Sequence, residues 1–396
     1  MNTVLELKKY LLSISTVVVL LLYLGAGLTW AIQKLVVPAQ FQSDLIQEAS
    51  EKELPLNEKG YKKALTYANE HKRDWVYLDD AGKQRYIYEN FYINKYETLF
   101  AYKNSVNQEK LATQESTLTE GEEKRFALID QRIKDLSFVR KYDAEGFLDA
   151  LRTIWNSYLL FTPLLFASIY AVDKHYISAL LASASQSGTP YLRAKVKTCL
   201  LLGTLFYWLP LLALLIFYMA RTNFLAELSL PYYYISPLSS WPVNIGQGLG
   251  WLAVSGFIQY LYLILIIILI SQSTFSLLTA SLASFFYSGG AFFILSWLTP
   301  FYDRSPLIRI IVTTWALSPA GALSSVVRHD YFYPTNFLNL PILKDYNLPL
   351  LCSTLLMIPV IFLLYRNRRS CFQGNGTSHK WDISNAVKAL INNHST

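Results

Sequence analysis

From Leu228 to Tyr302 the chain carries no charged residue, a run of 75 positions. About 20 consecutive apolar residues already suffice to cross a bilayer, so a run this long belongs in or against a membrane. The composition agrees. Apolar residues make up 53% of the sequence and charged residues 16%, against about 25% charged in a typical soluble domain. The charges are also concentrated: 19 Lys+Arg and 21 Asp+Glu lie between Lys34 and Arg152, which is 40 of the 63 in the chain. The pattern is a polar insert in an apolar protein. It excludes a soluble enzyme, a disordered chain and a DNA-binding domain. The net charge is +7 while the insert nets −2, so the positive excess sits beside the apolar segments, where it reports topology and not an affinity for nucleic acid.

Uncharged stretches bounded by charges define six expected spans. Lys9 and Lys34 bracket 24 residues, Arg152 and Asp173 bracket 20, and Lys197 and Arg221 bracket 23. Inside the long charge-free run, Gly248 to Ile270 is the fourth span and Phe275 to Leu298 the fifth, with Ser271-Gln272-Ser273-Thr274 as a tight turn between them. Asp345 and Arg366 bracket the sixth. Leu11 to Ile32 is too long for a signal-peptide core and reads as a retained span. Ile310 to Val327 is uncharged but contains Ser318-Pro319-Ala320-Gly321. It reads as helices that dip into the membrane without crossing, within a segment 307–328. Six spans put Lys8, Lys9, Lys174, Arg193, Lys195, Lys197 and the Arg366-Asn367-Arg368-Arg369 run on the cytoplasmic side. Seven would send that last Arg cluster outside.

The expected organisation is an all-α polytopic membrane protein. Residues 1–33 form the N-terminus and span 1, and 34–152 an extracytoplasmic domain. Residues 153–369 form spans 2 to 6, and 370–396 a cytoplasmic tail. Both termini are then cytoplasmic. None of the three cysteines (Cys199, Cys352, Cys371) lies in the insert, so a disulfide cannot hold it and a core must. Pro38 to Glu53, Asn57 to His71 and Thr119 to Val139 are expected helices. The last has Thr119 and Glu122 at capping-box spacing and an apolar stripe of Leu128, Ile129, Ile133, Leu136 and Val139. Alternation across Val76 to Tyr88, around Asp79-Asp80-Ala81-Gly82, reads as a small β-hairpin.

Motifs for chemistry are missing. No phosphate-cradling G-x-x-x-x-G-K-[ST], H-E-x-x-H, C-x-x-C or G-x-S-x-G occurs, and the six expected spans contain no Asp, Glu or His. That argues against a proton-coupled carrier, which needs a buried carboxylate, and against a membrane protease. No catalytic residue and no metal site is assigned, and any energy source lies on another polypeptide.

The segment 173–197, on the cytoplasmic side between spans 2 and 3, is the informative one. Asp173 is placed to cap a short helix. Tyr176, Ile177, Leu180, Leu181 and Ala184 fall on one face. Gly188-Thr189-Pro190 turns the chain, and Arg193, Lys195 and Lys197 lead into span 3 at the headgroups. Two physical readings are open: an interfacial helix lying on lipid, or an apolar face docked into a cytoplasmic partner. In sequence the segment resembles the coupling-helix signature of ABC-2 type exporter permeases. There an acidic residue is followed by a Leu-Leu pair, a small-residue turn, then a basic residue and a lysine. Asp173, Leu180-Leu181, Gly188-Thr189-Pro190, Arg193 and Lys195 match. In place of the usual Glu the chain has Asp173, flanked by Val172 and Lys174, and the Ser-rich 182–187 stretch is atypical. The layout is similar to one subgroup of that family: a large external domain between spans 1 and 2, and a non-crossing segment before span 6. The resemblance implies a bacterial cell-membrane location and a channel of two permease subunits, identical or paralogous. It also implies that separate ATP-binding cassette subunits carry ATP and magnesium, leaving this chain no cofactor of its own. Asp173, Tyr176, Ile177, Leu180, Leu181, Arg193 and Lys195 would bind the ATPase.

Other features carry two readings each. Ser276, Thr279, Ser281, Ser284 and Ser288 make span 5 small and polar, for tight helix packing or for lining a substrate path. Gly246 and Gly250 form G-x-x-x-G, for a packing contact or a dimer seam. Pro163, Pro210 and Pro359 are candidate kinks. Two other functions compete with the permease: a sensor or scaffold with a ligand-binding external domain, and an interfacial lipid-modifying enzyme around Asp303, Arg304, Arg309, Arg328, His329 and Asp330.

Overall fold

The computed structural model describes residues 17–25, 58–72, 143–183, 189–222, 224–235, 243–274, 276–298, 305–323 and 347–366, with scattered residues at 29 and between 77 and 131; the side chains of residues 168–192 are outside that description. The described part is helical and contains no strand. The elements are α1 (17–25), α2 (Glu58–His71), α3 (Asp143–Ser183), α4 (Thr189–Arg221) and α5 (Phe224–Glu227), followed by a 3-10 turn at Tyr232–Tyr234. Then come α6 (Ile245–Ser273), α7 (Leu277–Leu298), α8 (Pro306–Ala316), α9 (Pro319–Leu323) and α10 (Asn347–Arg366).

Among the described residues, two helices are long and apolar enough to cross a membrane: 193–221 within α4 and the whole of α6, with mean hydropathies of 2.3 and 2.4. Shorter apolar helices run over Pro306–Ala316 and Leu350–Leu364. The other expected spans are covered in part. Nine residues of the first are described as α1, and α7 is 22 residues without a charge.

α3 is 41 residues long, or about 60 Å, roughly twice the thickness of a bilayer's hydrocarbon. Its uncharged stretch, residues 153–172, is only the middle of it. Asp173, expected to start a new helix, lies inside this one. The reason is in the sequence: neither Gly nor Pro occurs between Pro163 and Gly188, so nothing ends the helix before the acid. α4 then starts at Thr189 with Pro190 in its first turn, where a missing N–H costs no hydrogen bond. The expected turn at Ser271–Thr274 also shifts. Ser271, Gln272 and Ser273 stay helical, and Ser271 donates to the Ala167 carbonyl of α3 at 3.1 Å. The chain turns at Thr274, whose φ −101 and ψ 152 are extended.

α3 packs against α4, α6 and α7, and α6 also packs against α10. Their shared core is unusually aromatic, with Trp155, Tyr158, Phe166, Phe206, Tyr207, Tyr218 and Tyr260 all fully buried. α1 joins through Tyr23, whose ring meets Tyr158 edge-on at 4.8 Å. α9 is buried along its whole length, inserted among α3, α6, α7 and α10.

In the polar insert, α2 appears where Asn57 to His71 was expected to be helical. The hairpin does not form: Gly82, Arg85, Tyr86, Glu89 and Asn90 are helical, with further helical positions at 93, 96 and 97. Asp79, read as a hairpin turn residue, instead accepts from the Gly82 N–H at 2.8 Å, the bond an acid makes at a helix N-terminus. Arg85 and Glu89 then pair at i,i+4, 3.6 Å apart. The segment packs on α2 through a Tyr61–Tyr96 stack at 4.4 Å and through Arg85 over the Tyr67 ring at 4.0 Å. Four described positions between 119 and 139 (123, 127, 130 and 131) are helical; the apolar stripe and the expected Pro38–Glu53 helix lie outside the described residues.

Candidate functional site

The candidate partner site is the α3–α4 connection. α3 overruns its uncharged stretch by the residues 173–183, and after residues 184–188, outside the described set, α4 starts at Thr189. Asp173, Tyr176, Ile177, Leu180 and Leu181 therefore sit on an unbroken continuation of α3. Arg193 and Lys197 are exposed, whereas Lys195 is fully buried. Helical spacing explains the split. Residues four apart share a face, while 195 points to the opposite side. Lys195 thus lies inside the fold, unlike the two exposed cations beside it.

The five hydroxyl residues singled out at the start of α7 and within it do different jobs. Ser276 and Thr279 form a reciprocal cap at the start of α7: the Thr279 N–H donates to the Ser276 hydroxyl at 3.1 Å, and the Ser276 N–H to the Thr279 hydroxyl at 3.3 Å. Both are exposed, and Ser281 is half-buried. Ser284 and Ser288 are fully buried. Ser288 donates to the Leu159 carbonyl of α3 at 2.7 Å, so at this position the hydroxyl serves helix packing. Of the glycine pair, Gly246 packs on Leu228 whereas Gly250 faces open space.

The helix–break–helix before α10 is tightly built. The Ser318 hydroxyl donates to the Trp315 carbonyl at 2.7 Å and accepts from the Gly321 N–H at 3.1 Å. A Cβ at Gly321 would collide with the Trp315 carbonyl. Ser353 of α10 donates to the Leu317 carbonyl at 3.1 Å, so a neighbouring helix takes up one of the carbonyls that the break leaves free. At about 16 Å, α8 is shorter than the hydrocarbon layer. Of the competing enzyme cluster, Arg309 is in α8 with its side chain undescribed, and Asp303, Arg304, Arg328, His329 and Asp330 lie outside the described residues.

Two polar features were missed in the sequence. The first is a latch at the N-terminal end of α3. The buried Glu227 carboxylate accepts from the Ala144 N–H at 2.9 Å, where the positive end of the helix favours an anion. Phe224 of the same short helix packs on Phe147, with ring centroids 4.9 Å apart. The second is a hydroxyl network inside the bundle. Tyr23 and Thr162 bond at 2.8 Å, and Thr162 reaches Tyr260 at 3.5 Å. Tyr207 donates to the Ala253 carbonyl at 2.7 Å, and the Trp155 indole N–H donates to Tyr207 at 3.3 Å. Three tyrosines on apolar segments were a visible signal, because a buried phenol needs a partner.

In the polar insert, Glu89 is buried with Oε2 unpaired among the described residues. Burial raises its carboxyl above the ordinary range, against the pull of Arg85. The exposed Glu58 is lowered by its hydrogen bond to Lys62. No cluster of metal-ligating side chains occurs among the described residues. No protein-family model, curated protein or solved structure matches the chain.

Proposed function

We propose that this chain is the membrane-spanning permease subunit of an ATP-driven exporter of the ABC-2 type, in a bacterial cell membrane. It would cross six times with both ends in the cytoplasm and residues 34–152 outside. A separate ATP-binding cassette subunit would hydrolyse ATP, and a second permease subunit would complete the channel. The substrate class is an amphipathic or lipid-like molecule, such as a peptide or an antimicrobial. The uncharged spans offer no fixed charge to grip a small ion.

The observation that carries this reading is the overhang of α3. A single helix runs from Asp143 through the apolar stretch and on for the residues 173–183, the segment whose sequence resembles a coupling helix. A push on that overhang would travel along α3 into α4, α6 and α7, which pack on it. The two long apolar helices and the short buried helix α9 before α10 support the same layout.

The test is affinity isolation of the intact chain from its native host in mild detergent, beside a Leu180→Asp, Leu181→Asp double variant. A nucleotide-binding subunit should co-purify with the natural sequence and be lost from the variant, while both chains fold equally. If no ATPase accompanies the natural sequence, the transporter reading falls.

A further inference from the structure

α3 and α4 each carry a proline in their interior, Pro163 and Pro210, and both are buried. A helical proline has no N–H, so the carbonyl four residues earlier loses its intrahelical donor. Inside a membrane that carbonyl must be satisfied by another protein group. For Pro163 the carbonyl belongs to Leu159, and for Pro210 to Phe206.

Both are met by hydroxyls from neighbouring helices. Ser288 of α7 donates to the Leu159 carbonyl at 2.7 Å, closer than its own Ser284 carbonyl at 3.0 Å. Tyr158 of α3 reaches the Phe206 carbonyl at 3.3 Å and the adjacent Tyr207 carbonyl at 2.9 Å. The two acceptor sites are joined through consecutive α3 residues: Tyr158 supplies the donor to α4, and Leu159 receives the donor from α7. The Tyr207 hydroxyl extends the line to α6 through the Ala253 carbonyl.

We infer that Tyr158 and Ser288 are positioning residues that fill the proline-freed carbonyls, so that α3 and α4 bend at one shared, hydrogen-bonded level of the bundle. Loss of either hydroxyl leaves a carbonyl unpaired in an apolar interior; removal of the matching proline restores the N–H and makes the hydroxyl dispensable. The use of this level as the hinge of a transport cycle rests on the permease reading. The hydrogen-bond assignment does not.

The test is a pair of double-mutant cycles, read as the thermal unfolding midpoint of the purified full-length chain in detergent, with no ATPase present. Tyr158→Phe should lower the midpoint by about 3 °C in the natural sequence and by about 1 °C or less beside Pro210→Ala. Ser288→Ala should behave in the same way towards Pro163→Ala, and Ser288→Thr, which keeps the hydroxyl, should retain most of the midpoint. Equal losses with and without the proline overturn the inference. Should a proline variant fail to fold, spin labels at the exposed Leu201 and Ile216, which straddle Pro210 on α4, give a second readout. Their distance distribution should shift or broaden in Tyr158→Phe, and an unchanged distribution overturns the inference. Coupled cycles in a chain that recruits no ATPase would keep the hinge level and remove the transport reading.

Discussion

At the residue scale the bundle is decided by close approaches that have no motif. Gly256 of α6 lies under Trp155 and Tyr207, where an added Cβ would come within 2.5 Å of the Trp155 ring and 2.6 Å of the Tyr207 hydroxyl. The ring and hydroxyl are both held in the hydroxyl network, so neither can give way cheaply. Gly256→Ala should cost about 1–3 kcal/mol, the usual penalty for overpacking, while Gly250→Ala, with nothing within 4 Å, should be neutral or slightly stabilising. Thermal unfolding of the two variants side by side checks this. The sequence singled out Gly246 and Gly250 because their spacing matches a known helix-packing motif. Spacing records which face a residue lies on, but not which ring from a helix about 100 residues away will reach it.

At the element scale, α3 shows how a helix end is chosen. Asp173 has the right chemistry for an N-cap, yet no residue ahead of it stops the helix, so the helix continues to Ser183. At the other end, Glu227 lies 83 positions away in sequence and covers the first turn of α3 through the Ala144 N–H. Glu227→Ala should orphan that donor and cost about 1–2 kcal/mol. Hydrogen exchange of the amides at 143–147 should speed up, with the α6 amides unchanged. Glu227→Gln, which keeps an acceptor oxygen, should fall between the two. Equal protection in all three chains would show that the latch contributes nothing.

At the scale of the whole molecule, the polar insert and the apolar bundle meet at α3, which starts in one and ends beyond the other. The proposed division of labour makes them separable. Deleting residues 36–141, which leaves α3 and the Glu227 latch intact, should preserve capture of the ATPase partner and impair export of the substrate. Undiminished export by the shortened chain would remove the insert from the transport mechanism.

Charge and hydropathy along the chain determined a great deal without any structure. They placed a polar insert in an apolar helical protein and located α6, α7 and α10 to within a few residues. They also located the helix–break–helix around Ser318, because desolvating charge is costly wherever the helix goes and because Pro and Gly break helices locally. The same local rules erred where the outcome depended on a distant partner. Asp79 caps a helix that packs on Tyr61 and Tyr67, and does not turn a hairpin. Lys195 is buried. The hydroxyls of α7 divide between a cap and a carbonyl on α3. Only the tertiary structure could bring Ser288 to Leu159 and Tyr158 to the far side of Pro210. A proline announces that a carbonyl is left over, but the helix that supplies its donor is chosen by packing.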